Sequence, residues 1–298
     1  MTIAIVRKIG AGISFQDQGR VDANSWLNYG VAPAGTMDAY AAQAANTLVH
    51  NLPTDTVLEI ALGGAEIEIT ANCWLAHTGG CACPELPRNT ARFVKKGETL
   101  RFNPNPHGVW SYLAIAGGWQ AAQYFGSSSR HQRSDLGQDI TVDSELRANT
   151  SQPPASSCAD SRFLPLAKQR DYSSPPPLRL IKGPHANLFK EQDWLHLLRT
   201  EWIVSPRSDR TGYRLTGSNT LSHNHSIYST PTLVGSVQIP PNGEPIVTLN
   251  DGPTVGGYPI LARVHPDDLS WLVQQHAHQK IHFNEWRGHS ISPKISHL

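Results

Sequence analysis

A mainly β chain folded as two β-barrel-like domains, each with about one helix, is predicted by three observations. Short segments alternate apolar and polar residues at period two, the signature of half-buried strands. The 298 residues include 24 glycines and 22 prolines, about 15% of the chain against the usual level of about 12%. That composition favours many turns over a helical bundle. The third observation is a Pro/Ser-rich stretch at 151–177, which reads as a solvated linker. It separates block 1–150 from block 178–298, each long enough for its own core.

In the first block, Ala65–Ile69 alternates strictly, and so does Thr99–Phe102 after the turn signal Lys95-Lys96-Gly97-Glu98. The apolar run 110–116, ended by Gly117-Gly118, reads as a buried strand. Met37, Tyr40, Ala41, Ala44, Ala45 and Leu48 recur at helical spacing and share one face. Thr36 is the expected cap of that helix, Asp38 suits its first turn, and 51–53 stops it. The second block opens with a strand at 178–181. A helix at 187–198 follows, with Leu188, Phe189, Trp194, Leu195 and Leu198 as its apolar set. Strands are then expected at 201–204, 212–215, 235–239, 245–249 and 259–264. Pro240-Pro241-Asn242-Gly243 turns the chain between two of them.

Several function classes drop out. A net charge of +1 gives no pull toward nucleic acid or an anionic membrane. No run approaches the roughly 18 apolar residues of a membrane span. The N-terminus is short and mixed, so a cytoplasmic chain is expected. Cys73, Cys81, Cys83 and Cys158 are too few for a disulfide framework and lack zinc-site spacing. They read as reduced structural or surface thiols. The chain has no phosphate loop, no complete dinucleotide fingerprint and no Gly-x-Ser-x-Gly elbow. The two methionines are Met1 and Met37, so no Met-Lys-Met-type biotinyl lysine exists and no covalent biotin is expected on this chain.

Four polar clusters are candidates for chemistry, each with a plainer alternative. Asp17 and Arg20 either flank a polar substrate or form a turn with a local ion pair. The stretch 208–214 packs a hydroxyl, Asp209, Arg210, Tyr213 and Arg214 together. It suits carboxylate or phosphate recognition, or else a turn entering a strand. The stretch 250–259, with Asp251, Thr254, Gly256, Gly257 and Tyr258, offers backbone donors to an anion, or else a tight loop with glycines at positive φ. Gly126-Ser127-Ser128-Ser129-Arg130 with Arg133 is either an anion site or a polar turn. The pairs His223/His225 and His276/His278, with His282, have metal-like spacing but read better as solvated histidines.

Taken together these stretches resemble the family of C-type 5-oxoprolinase subunits, also known as allophanate hydrolase subunit 2 or KipA-like proteins. The resemblance rests on 16–20, Gly30-Val31-Ala32-Pro33-Ala34-Gly35-Thr36-Met37-Asp38, Ala44-Ala45-Asn46 and Leu58-Glu59. It continues through Ala114-Ile115-Ala116-Gly117-Gly118, Gly126-Ser127 and Ser208-Asp209-Arg210-x-Gly212-Tyr213-Arg214-Leu215. It ends with 235–245 and Thr254-x-Gly256-Gly257-Tyr258-Pro259. It implies cyclophilin-like β-barrel domains. It also implies partners, a KipI-like B-type subunit and a separate A-type chain, with which ATP-dependent cleavage of 5-oxo-L-proline to L-glutamate is carried out. Which of the three chains holds ATP is not implied. Two other roles within the resemblance are the carboxyltransferase of a biotin-dependent urea-carboxylase-like system and a regulator that binds a KipI-like partner. The chain departs from the family at Ser128, where Arg is frequent, at Asp135 and Gln138, and at Gly80-Cys81-Ala82-Cys83.

On chemistry, Asp17, Asp38, Glu59, Asp209 and Asp251 are the expected catalytic carboxylates. Arg20, Arg210, Tyr213, Arg214, Thr254, Gly256, Gly257 and Tyr258 are the expected substrate contacts. Arg210 or Arg214 suits a substrate carboxylate, Asp209 or Asp251 a base or orienter, and the Gly256-Gly257 backbone an oxyanion. No metal is expected.

Overall fold

Period-two alternation builds the walls of the first domain. The computed structural model describes residues 1–21, 26–150, 161–218 and 220–288. A four-stranded sheet runs in the order Thr99–Phe102, Ala65–Ile69, Thr2–Lys8, Glu145–Arg147. A six-stranded sheet runs Arg162–Phe163, Thr90–Val94, Cys73–Gly79, Trp110–Ile115, Val57–Ala61, Ile13–Gln16. Their inner faces enclose one apolar cluster that includes Val6, Phe15, Ile67, Leu75, Leu113 and Trp119. Cys73 and Leu75 face this core, whereas Trp74 and Ala76 belong to the neighbouring cluster. One strand thus serves two cores, as period two requires.

The second domain is a nearly closed barrel. Its eight strands run Lys280–Ile281, Trp202–Val204, Gly212–Thr216, Ile246–Thr248, Ser236–Gln238, Ile260–Val264, Leu178–Lys182, Phe283–Glu285. The first and last strands of that order are separated in sequence by His282 alone, so the chain itself joins the two edges. Closure removes the exposed edges that an open sheet would present.

Three α-helices occur among the described residues: α1 Ala39–Leu48, α2 Glu191–Arg199 and α3 Pro266–Leu272. Asp38, not Thr36, caps α1, its carboxylate accepting the Ala41 N–H at 2.9 Å. The expected 187–198 helix divides into a 3-10 turn at Ala186–Leu188 and α2. The expectation of one helix per block misses α3. Its signals are Pro266 in the first turn, followed by Asp267 and Asp268.

The two domains share packing. Met37, Ala41, Ala45 and Leu48 of the α1 region join Trp110 and Tyr112 in one apolar cluster with Leu180, Trp202, Val237 and Val264 of the barrel. The 151–177 stretch also departs from its reading as a solvated linker. Residues 151–160, with Cys158, lie outside the described residues. Beyond them, Arg162–Phe163 adds a strand beside Thr90–Val94, and Tyr172 is 6% exposed. Proline density masks a buried aromatic anchor here. No helix among the described residues is long and apolar enough to cross a membrane. Cys73, Cys81 and Cys83 are buried free thiols, and burial pushes the Cys83 thiol up to about 11.

His77 is fully buried in the first domain's six-stranded sheet, its Nδ1 2.8 Å from the Leu86 carbonyl. Burial lowers its pKa to about 4. Between pH about 6.5 and 4 the unfolded chain therefore binds a proton that the native chain does not. Stability falls as pH drops through that window, by about 3 kcal/mol for this group. Urea unfolding at pH 7 and pH 4.5 is expected to show this loss, and His77→Gln is expected to reduce it.

Candidate functional site

The segment 33–38 threads between the two domains and touches three of the four polar clusters. Arg20 N–H donates to the Pro33 carbonyl at 2.8 Å, and Thr36 N–H donates to the Asp17 carbonyl at 3.0 Å. Ala34 N–H donates to the Asn250 carbonyl at 2.9 Å, and Asn250 Nδ2 returns a bond to the Thr36 carbonyl at 2.9 Å. Gly19 and Gly35 allow this closeness. Both have positive φ, and a Cβ on Gly19 would fall 2.6 Å from the Pro33 carbonyl oxygen.

Arg210 stands at the centre of the junction. Nε donates to Asp251 Oδ2 at 2.8 Å and Nη2 to Asp251 Oδ1 at 2.9 Å, a bidentate pair. Nη2 also donates to the Gly35 carbonyl at 2.8 Å, and Nη1 donates to Glu59 Oε1. Its guanidinium lies 5.7 Å from the centre of the Trp110 ring. Side-chain exposure is 18% for Arg210, 8% for Asp251 and 1% for Glu59. Glu59 Oε2 accepts the Met37 N–H at 2.7 Å and the Tyr112 hydroxyl at 2.8 Å. Burial raises the Glu59 pKa, a shift opposed by Arg210 and by the bonds from Met37 and Tyr112. Burial pulls the Arg210 pKa down, but Glu59 and Asp251 more than offset it and leave it raised.

Asp38 and Asp17 anchor the two flanks. Asp38 N–H donates to the Tyr112 oxygen at 2.7 Å. Asp38 Oδ2 accepts the Tyr172 hydroxyl at 2.7 Å and Gln274 Nε2 at 2.8 Å. Gln274 Oε1 in turn accepts the Val109 and Trp110 N–H groups at 2.8 and 2.9 Å. Asp17 Oδ1 accepts from Gly19 N–H and the Ser127 and Ser129 hydroxyls, and Oδ2 from the Ser128 N–H and hydroxyl. Burial raises the Asp17 pKa, yet these bonds outweigh it and hold the carboxyl below its ordinary value. Arg20 is 2% exposed and donates to the Ser129 and Tyr124 carbonyls at 2.8 and 3.2 Å.

The junction thus gathers Asp17, Arg20, Asp38, Glu59, Arg210 and Asp251. The other candidates make no hydrogen bond to it among the described residues. Asp209 caps its own turn through the Thr211 and Gly212 N–H groups. Tyr213 is a core residue whose hydroxyl donates to the Val273 carbonyl at 2.7 Å. Arg214 is exposed on its strand. Gly256 pairs opposite Thr230, Gly257 borders open space, Tyr258 is 44% exposed, and the Thr254 carbonyl accepts from Thr232. Neither Gly256 nor Gly257 has positive φ, contrary to the plainer reading of that loop. Arg210, expected alongside Arg214 as a substrate-carboxylate contact, gives three of its five N–H donors to Glu59 and Asp251 and a fourth to the Gly35 carbonyl. His223 engages both ring nitrogens, with the Ile239 carbonyl and the His225 N–H. Among the described residues no group of three or more His, Cys, Asp or Glu is placed to hold a metal. Sequence reading missed Tyr112, Tyr172 and Gln274 as members of the network, and it singled out Ser127–Ser129 without linking them to Asp17. The signal for Tyr112 was a hydroxyl inside an apolar run, which needs a partner when buried.

The chain is similar to known proteins along most of its length. The model of the carboxyltransferase domain, subdomains A and B, matches residues 29–285. The chain is 32% identical to the C-type 5-oxoprolinase subunit of Escherichia coli over 283 residues, covering 93% of this chain and 89% of that protein. The crystal structure of TTHA0988 superposes with a TM-score of 0.85 at 31% identity, over 95% of this chain and 56% of that one. Urea carboxylase of Kluyveromyces lactis superposes with a TM-score of 0.79 at 25% identity, over 95% of this chain and 27% of that one. The chain therefore spans little more than half of the first of these structures and about a quarter of the second.

Proposed function

Because this chain belongs to the carboxyltransferase-domain family, with subdomains A and B, we propose that it is the C-type subunit of an ATP-dependent 5-oxoprolinase. Its partners in this reading are separate A-type and B-type subunits, and the assembly converts 5-oxo-L-proline to L-glutamate. The observation that carries the reading is its extent. The similarity runs through 89% of the E. coli C-type subunit, whereas the same chain is a 27% portion of the urea carboxylase.

The junction has the character of a positioning device. Arg210 ties the Asn250–Asp251 loop of the barrel to Glu59 of the first domain, and its donor contacts to Asp251, Glu59 and Gly35 are all intramolecular. Such a cluster does not fit a nucleoside triphosphate, since its guanidinium is already neutralised by two carboxylates. We therefore assign ATP to a site outside this cluster. What the junction supplies is a fixed angle between the domains and a fixed loop at the solvent-facing edge of Arg210. Preorganisation of that kind is what a shared active site requires of each participating chain.

The test is L-glutamate release from 5-oxo-L-proline and ATP by the three-chain mixture, omitting each chain in turn. Glutamate is expected only from the complete mixture. Full turnover without this chain would refute the reading. The superposition on urea carboxylase favours one other role, carboxyl transfer from a biotinylated carrier on another protein. A complete assembly that releases no glutamate from 5-oxo-L-proline but carboxylates urea with such a carrier would establish it instead.

A further inference from the structure

We infer that this chain carries a small-molecule site, for a compact organic carboxylate, in the cavity on the flank of α1. The cavity has a volume of about 270 Å³, the share of about nine waters in the liquid. It lies between α1 and the 164–172 segment, with Tyr40, Arg88, Asn89, Arg170 and Tyr172 among its walls.

Two guanidiniums make it cationic, and neither has a carboxylate bound to it among the described residues. Arg170 places its Cζ 4.0 Å from the centre of the Tyr40 ring and 4.9 Å from that of Trp271. Its Nη2 donates to the Asp267 carbonyl at 3.4 Å, and its Nη1 is buried with no partner among the described residues. That N–H is closed to water and so to the cavity, and what Arg170 brings to the wall is its positive charge. Arg88 is exposed at the wall and makes no hydrogen bond to another described residue. Among the described residues Asp171 is the one carboxylate on the wall, and Ser173 holds it through its N–H at 3.0 Å and its hydroxyl at 2.6 Å. The balance is positive, and the positive groups are the ones left unsatisfied. The forked Arg88 donors, with a second guanidinium charge beside an aromatic ring, suit a carboxylate on a short carbon skeleton. The Arg210 cluster is the opposite case, with its charge neutralised from within.

Isothermal titration of the full chain with glutarate, and with glutaramide as the uncharged control, tests this without reference to turnover. Saturable one-to-one binding of glutarate alone is expected. Arg88→Ala removes an exposed side chain and leaves the fold intact; it is expected to weaken binding about tenfold to a hundredfold. Asp171→Asn removes the opposing charge and is expected to strengthen it. Heats for glutarate no larger than those for glutaramide would overturn the inference and leave the cavity to water. Binding equal in the parent chain, Arg88→Ala and Asp171→Asn would overturn it by placing the ligand elsewhere.

Discussion

Arg210→Ala is expected to destabilise the folded chain by about 3–5 kcal/mol, because it strands two buried carboxylates rather than one. Glu59 is 1% exposed and Asp251 8%. Neither has a second guanidinium within bonding distance among the described residues. For a chain of this size the thermal midpoint should fall by about 5–8 °C. Differential scanning calorimetry checks it. A midpoint within a degree of the parent's would show that the ion-pair cluster is not holding the domains together.

Glu59→Gln separates the structural role from a chemical one. The amide oxygen still accepts from Met37 N–H and Tyr112, the two bonds that Glu59 Oε2 now receives, while the amide NH2 replaces Oε1 and turns the Arg210 Nη1 contact into donor against donor. Burial already disfavours the charged form of Glu59, so neutralisation relieves part of what it removes. A smaller loss of stability than for Arg210→Ala is expected. If glutamate release by the assembly nevertheless collapses in Glu59→Gln, the charge itself is needed for turnover. Retained turnover would confine Glu59 to positioning.

The strands were legible because their information is local. Ala65–Ile69 and Thr99–Phe102 occur with the bounds their alternation predicts. The face of α1 was legible for the same reason, but its cap was not. Thr36 and Asp38 are both competent caps, and the choice is made by Tyr172, Gln274 and Tyr112, which bind Asp38 from distant segments. Arg210 shows the limit most sharply. Its neighbourhood in sequence reads as a ligand site because a guanidinium beside a hydroxyl and a carboxylate is what anions need. Its actual partners lie 41 and 151 residues away, and no local pattern reveals that two carboxylates are already paired with it. The nearby Asp209, which looks like its partner, caps a turn instead. The resemblance pointed to several of the residues that meet at the junction, and only their geometry distinguishes a residue awaiting a ligand from one already paired.

Asp17→Ala is expected to cost about 2–4 kcal/mol, through donors rather than through an ion pair. Five bonds converge on this carboxylate, and Ser127, Ser128 and Ser129 are at most 1% exposed. The Ser128 hydroxyl can turn to Thr56, 2.7 Å away. The Ser128 N–H has no such freedom and is left buried without an acceptor. Acid repeats the experiment on the unmodified protein. Because the native pKa of Asp17 lies below its unfolded value, its contribution is fully present above pH about 4. It is lost as pH falls through the native value. Asp17→Ala should therefore be less stable than the parent at neutral pH, and the difference should shrink at the acid end. Chemical unfolding of both proteins from pH 7 to pH 3 measures this. A difference independent of pH would show that the loop is held by its shape and not by the charge of Asp17. In this chain that charge is met by three hydroxyls and two backbone N–H groups, where a guanidinium at position 128 would otherwise be the obvious counter-charge. Neutral donors fix the 127–129 loop against Asp17 without adding a cation to the junction, so that Arg210 alone, among the described guanidiniums, ties Glu59 of the first domain to Asp251 of the barrel.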